Sequence, residues 1–126
     1  MKDDAKKKSE RGFTLVEILV VVAIVGILTG IMVPQYAIYR RTAADAQATS
    51  DLKSLATALE AYFTVENTFE GATLALLATD YGFRRTQGVT DTIVTAESNH
   101  YVLTAAASDG SGTLTLDSTV GQITGS

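Results

Sequence analysis

The sequence has no cysteine and only one histidine, His100, among its 126 residues. Without cysteine the chain forms neither a disulfide framework nor a thiolate metal site, and one histidine falls short of a zinc ligand set. Asp109 and Asp117 lack the spacing of a calcium loop, and Gly110 and Gly112 do not form a phosphate loop. No serine, histidine and acid cluster suggests a nucleophilic triad. The sequence therefore predicts a protein that is not an enzyme and uses no metal or cofactor.

The length fits one domain, and the charge is unevenly distributed along it. The formal net charge is −4, from 10 basic and 14 acidic residues. Residues 1–12 carry five basic and three acidic side chains, whereas residues 13–126 carry five basic and eleven acidic ones. A basic start is typical of the cytoplasmic end of a membrane segment, and the acidic remainder gives no support for nucleic-acid binding.

A long apolar run follows the basic start. From Phe13 to Val33 there are 21 residues with a single charged side chain, Glu17. As an α-helix this run would be about 31 Å long, enough to cross the hydrocarbon core of a bilayer. The lysines near it lie only on its N-terminal side, which predicts that this side faces the cytoplasm.

Three interpretations of this run compete. A secretory signal needs a small-x-small cleavage site after the apolar run, and the segment 29–36 fits that pattern poorly. A plain single-span anchor explains the length, with Glu17 reaching the headgroups from near the helix end. An acid costs about 2.5–3.5 kcal/mol at the centre of a membrane helix and less near an end. The third interpretation gives Glu17 a cationic partner within the membrane or within an assembly.

The stretch from Arg11 to Glu17, with Gly12 directly before Phe13 and an unbroken apolar run beyond, resembles the processing site of type IV prepilins and related pseudopilins. The resemblance is close over roughly residues 7–40 and extends to the rest of the chain only in architecture. It implies that a membrane prepilin peptidase cuts between Gly12 and Phe13 and methylates the new amine of Phe13. It also implies that Glu17 is the glutamate on which assembly of the family depends.

The residue types suit that processing. Gly12 has no side chain to obstruct a protease at the scissile bond. Cleavage there would remove the basic leader, leave the apolar helix intact and create an α-amine four residues before Glu17. An amine and a carboxylate on neighbouring subunits would neutralise each other where water is scarce, and would fix the axial register of the subunits.

Three further residues of the apolar run bear on helix packing. Gly26 and Gly30 form a small-xxx-small pair, which allows helices to approach closely in a membrane or a filament core. Both are also tolerated singly in an apolar helix, at about 1 kcal/mol each in water. Pro34 removes a helical hydrogen bond and is expected to kink or loosen the preceding turn.

Beyond Pro34 the pattern becomes amphipathic. Apolar residues recur at steps of three and four and predict one buried helix face: Leu52, Leu55, Ala56, Leu59, Tyr62 and Phe63. Arg41 and Asp45 are four residues apart and are expected to pair on the exposed side. The predicted helix runs from near Thr14 to about Glu66, roughly 80 Å if continuous.

The composition changes at Asn67. Residues 67–126, here called the head, contain 12 Thr, 5 Ser and 7 Gly but neither Pro nor Lys, which favours strands and turns. The predicted elements are a short helical turn at 72–79 and strands at 91–96, 100–107, 113–116 and 120–124, with turns at 97–99 and 108–112. The predicted fold class is α+β: a long N-terminal α-helix packed against a small C-terminal antiparallel β-sheet.

The sequence is thus divided into four parts: a cleaved leader at 1–12, a membrane or filament-core helix at 13–34, its amphipathic half at 35–66, and the connecting region and sheet at 67–126. The resemblance implies a major pilin in a homo-oligomeric helical filament, first in the inner membrane and then on the cell surface. Its implied partners are the prepilin peptidase, an inner-membrane assembly platform and motor ATPases. A type II secretion pseudopilin, or a minor pilin serving adhesion or DNA uptake, shares the same N-terminus and stays open.

Overall fold

The structure, a computed structural model, describes residues 12–125, so the predicted leader lies outside the described residues except for Gly12. The helices are α1 (Leu15–Glu66) and α2 (Leu74–Asp80), and the strands are β1 (Val89–Ala96), β2 (Tyr101–Ala107), β3 (Thr113–Asp117) and β4 (Ile123–Gly125). One long N-terminal helix and a four-stranded antiparallel sheet confirm the predicted α+β fold. The chain divides into two compact units, one ending at Tyr36 and the other beginning at Ala37, and α1 contributes to both.

The N-terminal unit is the apolar part of α1. Thr14 caps the helix, because its Oγ1 accepts a hydrogen bond of 3.2 Å from the backbone N–H of Glu17. Between Phe13 and Tyr36 every large apolar side chain is more than half exposed, for example Leu15 at 75 % and Val33 at 62 %. The hydroxyl of Thr29 donates a hydrogen bond of 2.7 Å to the backbone carbonyl of Val25, so this polar group has a partner within the helix. The described residues of this unit therefore present an apolar surface that no other described residue of the unit covers.

The C-terminal unit has a core built on one face of α1. Buried residues recur along that face at steps of three and four: Ala44, Ala48, Asp51, Leu52, Leu55, Ala58, Leu59 and Tyr62. The predicted stripe is confirmed at Leu52, Leu55 and Leu59, which are fully buried. The inward face of the sheet packs on this stripe through Leu103 and other buried residues. The core thus lies between one helix face and one sheet face, as expected for a two-layer α+β unit.

The connection between α1 and the sheet is compact. α2 begins at a Thr73 cap, whose Oγ1 accepts from the N–H of Leu76 at 3.3 Å, and Leu77 buries its side chain in the core. The hydroxyl of Tyr62 donates to the carbonyl of Glu70 at 2.9 Å, which ties the end of α1 to the connecting loop. The short helix predicted at 72–79 is therefore present, displaced by one or two residues.

The sheet is an antiparallel meander with the order β1-β2-β3-β4. Each predicted strand is present, and the turns predicted at 97–99 and 108–112 join β1 to β2 and β2 to β3. β1 has a register shift between Ile93 and Thr95. The pairing also aligns one threonine from every strand in a single row across the sheet: Thr92, Thr104, Thr115 and Thr124.

Candidate processing and assembly site

Gly12, Phe13 and Glu17 lie together at the start of α1. Gly12 and Phe13 precede the helix in an exposed segment, and the Phe13 ring is 85 % exposed. An ideal Cβ on Gly12 would meet nothing within 4 Å. The bond between Gly12 and Phe13 therefore lies in accessible, non-helical backbone, which is the condition a peptidase needs to bind an extended segment.

Glu17 occupies the first turn of α1. Thr14 at the cap and Glu17 three residues later have the spacing of a capping box, a signal that the sequence reasoning missed. A carboxylate in the first turn also interacts favourably with the positive end of the helix dipole, by about 0.3–1 kcal/mol. That gain is smaller than the cost of burying an unpaired carboxylate in an apolar assembly, which is several kcal/mol. The cap therefore favours Glu17 at this position without removing the need for a partner.

Gly26, Gly30 and Pro34 lie further along α1, four residues apart, so they follow one side of the helix. An ideal Cβ on either glycine would meet nothing within 4 Å. No packing among residues 12–125 therefore requires a glycine at these positions. At about 100° per residue, Glu17 and Gly26 are about 180° apart around the helix, so the structure does not bring the glycines to the Glu17 side. The helix continues through Pro34, and the kink expected there stays a prediction.

One polar contact in the head joins His100 to Asp117. Nε2 of His100 lies 3.0 Å from Oδ1 of Asp117. The hydroxyl and N–H of Thr119 donate to the same oxygen at 2.6 and 2.8 Å. These bonds from Thr119, together with His100, lower the pKa of Asp117 to about 2. They hold the turn after β3 against the start of β2, which gives His100 a structural role.

A second contact joins the β2–β3 turn to α1. The hydroxyl and N–H of Ser111 donate to the Asp45 carboxylate at 2.6 and 2.9 Å, and these bonds lower the pKa of Asp45. Arg40 pairs with Asp109 at 2.6 Å. The predicted Arg41–Asp45 pair was wrong: within the described part of the chain no ion pair joins them, because the turn supplies Asp45 with nearer donors. A Cβ on Gly110 would lie 2.5 Å from Oδ1 of Asp45, so a larger residue there would displace the Asp45 carboxylate from Ser111.

These contacts explain the positions of Asp109 and Asp117, the two acids considered above as calcium ligands. Asp109 is paired with Arg40, and Asp117 accepts from Thr119 beside His100. Between residues 12 and 125 no three His, Cys, Asp or Glu residues are grouped so as to hold a metal ion.

α1 contains a segment that is long and apolar enough to cross a membrane by length and composition. The described residues bury none of that segment, unlike the core helix of a soluble protein. Exposed apolar side chains on this scale mark a surface that meets lipid or other protein.

Comparison with known proteins agrees with this arrangement. Residues 7–33 match the prokaryotic N-terminal methylation motif. The chain is 33 % identical over 104 residues to the type IV wide pilus major component PilA4 of Thermus thermophilus, covering 82 % of this chain and 78 % of that protein. A match of 104 of the 126 residues cannot be confined to the apolar helix and must reach into the head.

Two further relatives match over shorter segments. The type IV major pilin protein PilA of Myxococcus xanthus is 33 % identical over 78 residues, 62 % of this chain and 33 % of that protein. The type II secretion system core protein G of Pseudomonas aeruginosa is 42 % identical over 57 residues, 45 % of this chain and 40 % of that protein. The methylation motif, the exposed apolar helix and the long match to a major pilus component agree with one another, and the chain belongs to the type IV pilin family.

Proposed function

We propose that the chain is the major structural subunit of a type IV pilus. The observation that carries this proposal is the match to a pilus major component over 82 % of the chain, which reaches beyond the helix into the head. A subunit of this kind needs one surface for packing and a folded part for the outside of the filament. The exposed apolar residues before Tyr36 and the closed core after Ala37 meet those two needs.

Processing is the first step of this proposal. A prepilin peptidase would hydrolyse the bond between Gly12 and Phe13, giving a mature chain of 114 residues (126 − 12). It would then methylate the new α-amine of Phe13. The cap at Thr14 supports this step, because the residue that begins the helix is retained in the mature chain.

Assembly is the second step. The carboxylate of Glu17 would meet the α-amine of Phe13 from a neighbouring subunit, and the two charges would neutralise each other in apolar surroundings. The side of α1 that carries Gly26, Gly30 and Pro34 would allow neighbouring helices to approach closely. Because Glu17 lies on the opposite side of α1 from Gly26, one helix would use both sides to contact different neighbours.

The four parts of the chain would serve different stages, before and after assembly of the filament. The leader, residues 1–12, would remain in the cytoplasm, and residues 13–34 would hold the subunit in the inner membrane before assembly. Residues 35–66 and the head would then form the body of the subunit in the surface filament. The assembly platform and motor ATPases of the inner membrane would be its partners, together with the peptidase and other copies of the chain.

Filaments sheared from cells that express the protein test this proposal. We expect intact-mass and N-terminal analysis of the filament subunit to show a chain that begins at N-methylated Phe13. Gly12→Leu should leave the full-length protein in the membrane, because a bulky side chain obstructs the scissile bond. A mature protein that begins beyond Pro34 would contradict the proposal and indicate ordinary secretion.

A second candidate function is that of a type II secretion pseudopilin, supported by the 42 % identity to core protein G. That match covers 45 % of this chain, against 82 % for the pilus component, which makes it the weaker proposal. Quantifying the protein in sheared surface filaments separates the two functions. Abundance in the filaments is expected of a major pilin, and loss of secretion without loss of filaments on deletion is expected of a pseudopilin.

A further inference from the structure

Two carboxyl groups are buried in the C-terminal unit between α1 and β1. Asp51 on α1 and Asp91 on β1 are each 3 % exposed, and they are the charged residues buried within the described part of the chain. Asp91 occupies an inward position on β1, between Val89 and Ile93, where strand alternation would otherwise place an apolar residue. Neither acid takes part in the processing or assembly proposed above, so a separate explanation is needed.

The two acids differ in their hydrogen bonding. Oδ1 of Asp51 accepts from the hydroxyl of Thr86 at 2.6 Å, and its Oδ2 accepts from the Thr86 N–H at 2.8 Å. Bonds of this kind stabilise an ionised carboxylate. The residue before Thr86 is Arg85, whose Nε lies 3.6 Å from Oδ2 of Asp91. Adjacent residues of one loop therefore contact both acids.

Asp91 lacks the bonds that Asp51 has. Its side chain is fully buried, and neither carboxylate oxygen has a hydrogen-bond partner among residues 12–125. The distance of 3.6 Å to Arg85 is too long for a hydrogen bond. The Arg85 side chain is also 51 % exposed, so water weakens its attraction for Asp91. An ionised Asp91 would thus be a buried charge with an incomplete partner, which is an unfavourable state.

The charges around Asp91 also favour its protonated form. Asp51 faces it from α1 and Arg85 from the loop before β1, so two negative charges would share one half-exposed positive charge. Burial, and then the charge of Asp51, raise the pKa of Asp91 to about 6, while Arg85 opposes the shift. With one proton on Asp91, a single carboxylate remains opposite a single guanidinium.

We propose that Asp91 takes up a proton in mildly acidic solution and that this proton stabilises the contact between α1 and β1, so that the C-terminal unit responds to pH. The pKa of about 6 in the folded chain lies above the ordinary value of 3.8. The stabilisation is therefore fully present below about pH 4 and is lost as the pH rises through about 6. Between these values, this one site makes the unfolding equilibrium constant rise by up to about tenfold per pH unit.

The test uses the full-length chain in detergent micelles, with urea unfolding measured at pH values from 4 to 8. We expect the unfolding constant of the wild type to rise with pH between about 4 and 6, and Asp91→Asn to remove that rise. Asp80→Asn, which alters an exposed acid at the end of α2, is the matched control and should retain the wild-type slope. Carboxyl ¹³C NMR should give a titration midpoint for Asp91 near 6, and Asp51→Asn should lower that midpoint.

Three outcomes would overturn the proposal. One is an Asp91→Asn variant with the wild-type slope, and another is an Asp91 midpoint near 4. The third is stabilisation of the wild type by calcium or sodium ions at pH 7.5 that disappears in Asp91→Asn, which would show that the acids bind a cation. None of these results bears on cleavage at Gly12 or on filament assembly, so this inference and the proposed function fail separately.

Discussion

At the scale of single residues, three aspartates of the C-terminal unit show how the surroundings of a carboxyl group decide its effect. Asp45 and Asp117 accept several hydrogen bonds from nearby turns, and those bonds lower the pKa of each. Asp91 is buried without such bonds beside a second acid, and its pKa is raised. The first two therefore stabilise the folded chain as carboxylates, whereas Asp91 stabilises it when protonated.

The prediction at this scale concerns Asp117. Its pKa of about 2 in the folded chain lies below the ordinary 3.8, so its contribution is present above about pH 4 and is lost as the pH falls through about 2. Asp117→Asn should lower the Tm of the full-length chain in micelles at pH 5–7. The difference from the wild type should shrink between about pH 4 and pH 2. Glu97→Gln is the control, and a Tm difference for Asp117→Asn that is independent of pH would contradict this account.

At the scale of helices and strands, the patterns that predicted the fold are local ones. The steps of three and four at Leu52, Leu55 and Leu59 predict the buried helix face, and all three side chains are fully buried. The β2–β3 turn is similarly evident from Ser, Asp and Gly residues that are adjacent in the chain. Such signals need only the near neighbours of each residue, which explains why the element order could be predicted.

Contacts between distant residues could not be predicted in the same way. The row of Thr92, Thr104, Thr115 and Thr124 depends on the register of three strand pairs, which turn lengths and one irregularity in β1 decide. The contact between Asp45 and Ser111 joins residues 66 positions apart, and it took the place of the Arg41–Asp45 pair expected within the helix. Asp91 stands at the start of the predicted strand, where an acid is ordinarily exposed, but the structure buries it on the inward face between Val89 and Ile93.

The prediction at this scale concerns Leu55, which is fully buried in the stripe between α1 and the sheet. Leu55→Ala should reduce the free energy of unfolding by about 2–5 kcal/mol, because it removes apolar contacts and leaves a cavity. Urea unfolding of the full-length chain in micelles measures the change. Ile38→Ala is the matched control, since Ile38 lies on the same helix but is 57 % exposed. A loss no larger than that of the control would show that the stripe is not the stabilising core.

At the scale of the whole molecule, one helix serves two environments. Before Tyr36 its large apolar side chains are exposed, and from Ala44 onward one of its faces is buried by the sheet. The C-terminal unit therefore has its own core, whereas the apolar unit needs lipid or other subunits to cover it. In the filament we propose, neighbouring subunits replace lipid around that helix.

The prediction at this scale concerns Glu17. In an apolar assembly an unpaired carboxylate costs several kcal/mol, and pairing with the α-amine of Phe13 on a neighbour recovers much of that. A matched pair would favour one axial offset between subunits over others. Glu17→Val should therefore leave membrane insertion unharmed, because it makes the apolar segment more hydrophobic, but it should strongly reduce filament assembly.

The measurement compares membrane-inserted protein with sheared surface filaments for the wild type and for Glu17→Val. Ile18→Val is the control, because it changes the adjacent exposed position without altering the charge. Loss of filaments with normal insertion and cleavage would mean that Glu17 acts on the contact between subunits and not on delivery to the membrane. If Glu17→Val makes normal filaments, the proposed pairing between subunits is wrong. The Thr14 cap and the helix dipole would then be sufficient to explain why a glutamate stands at this position.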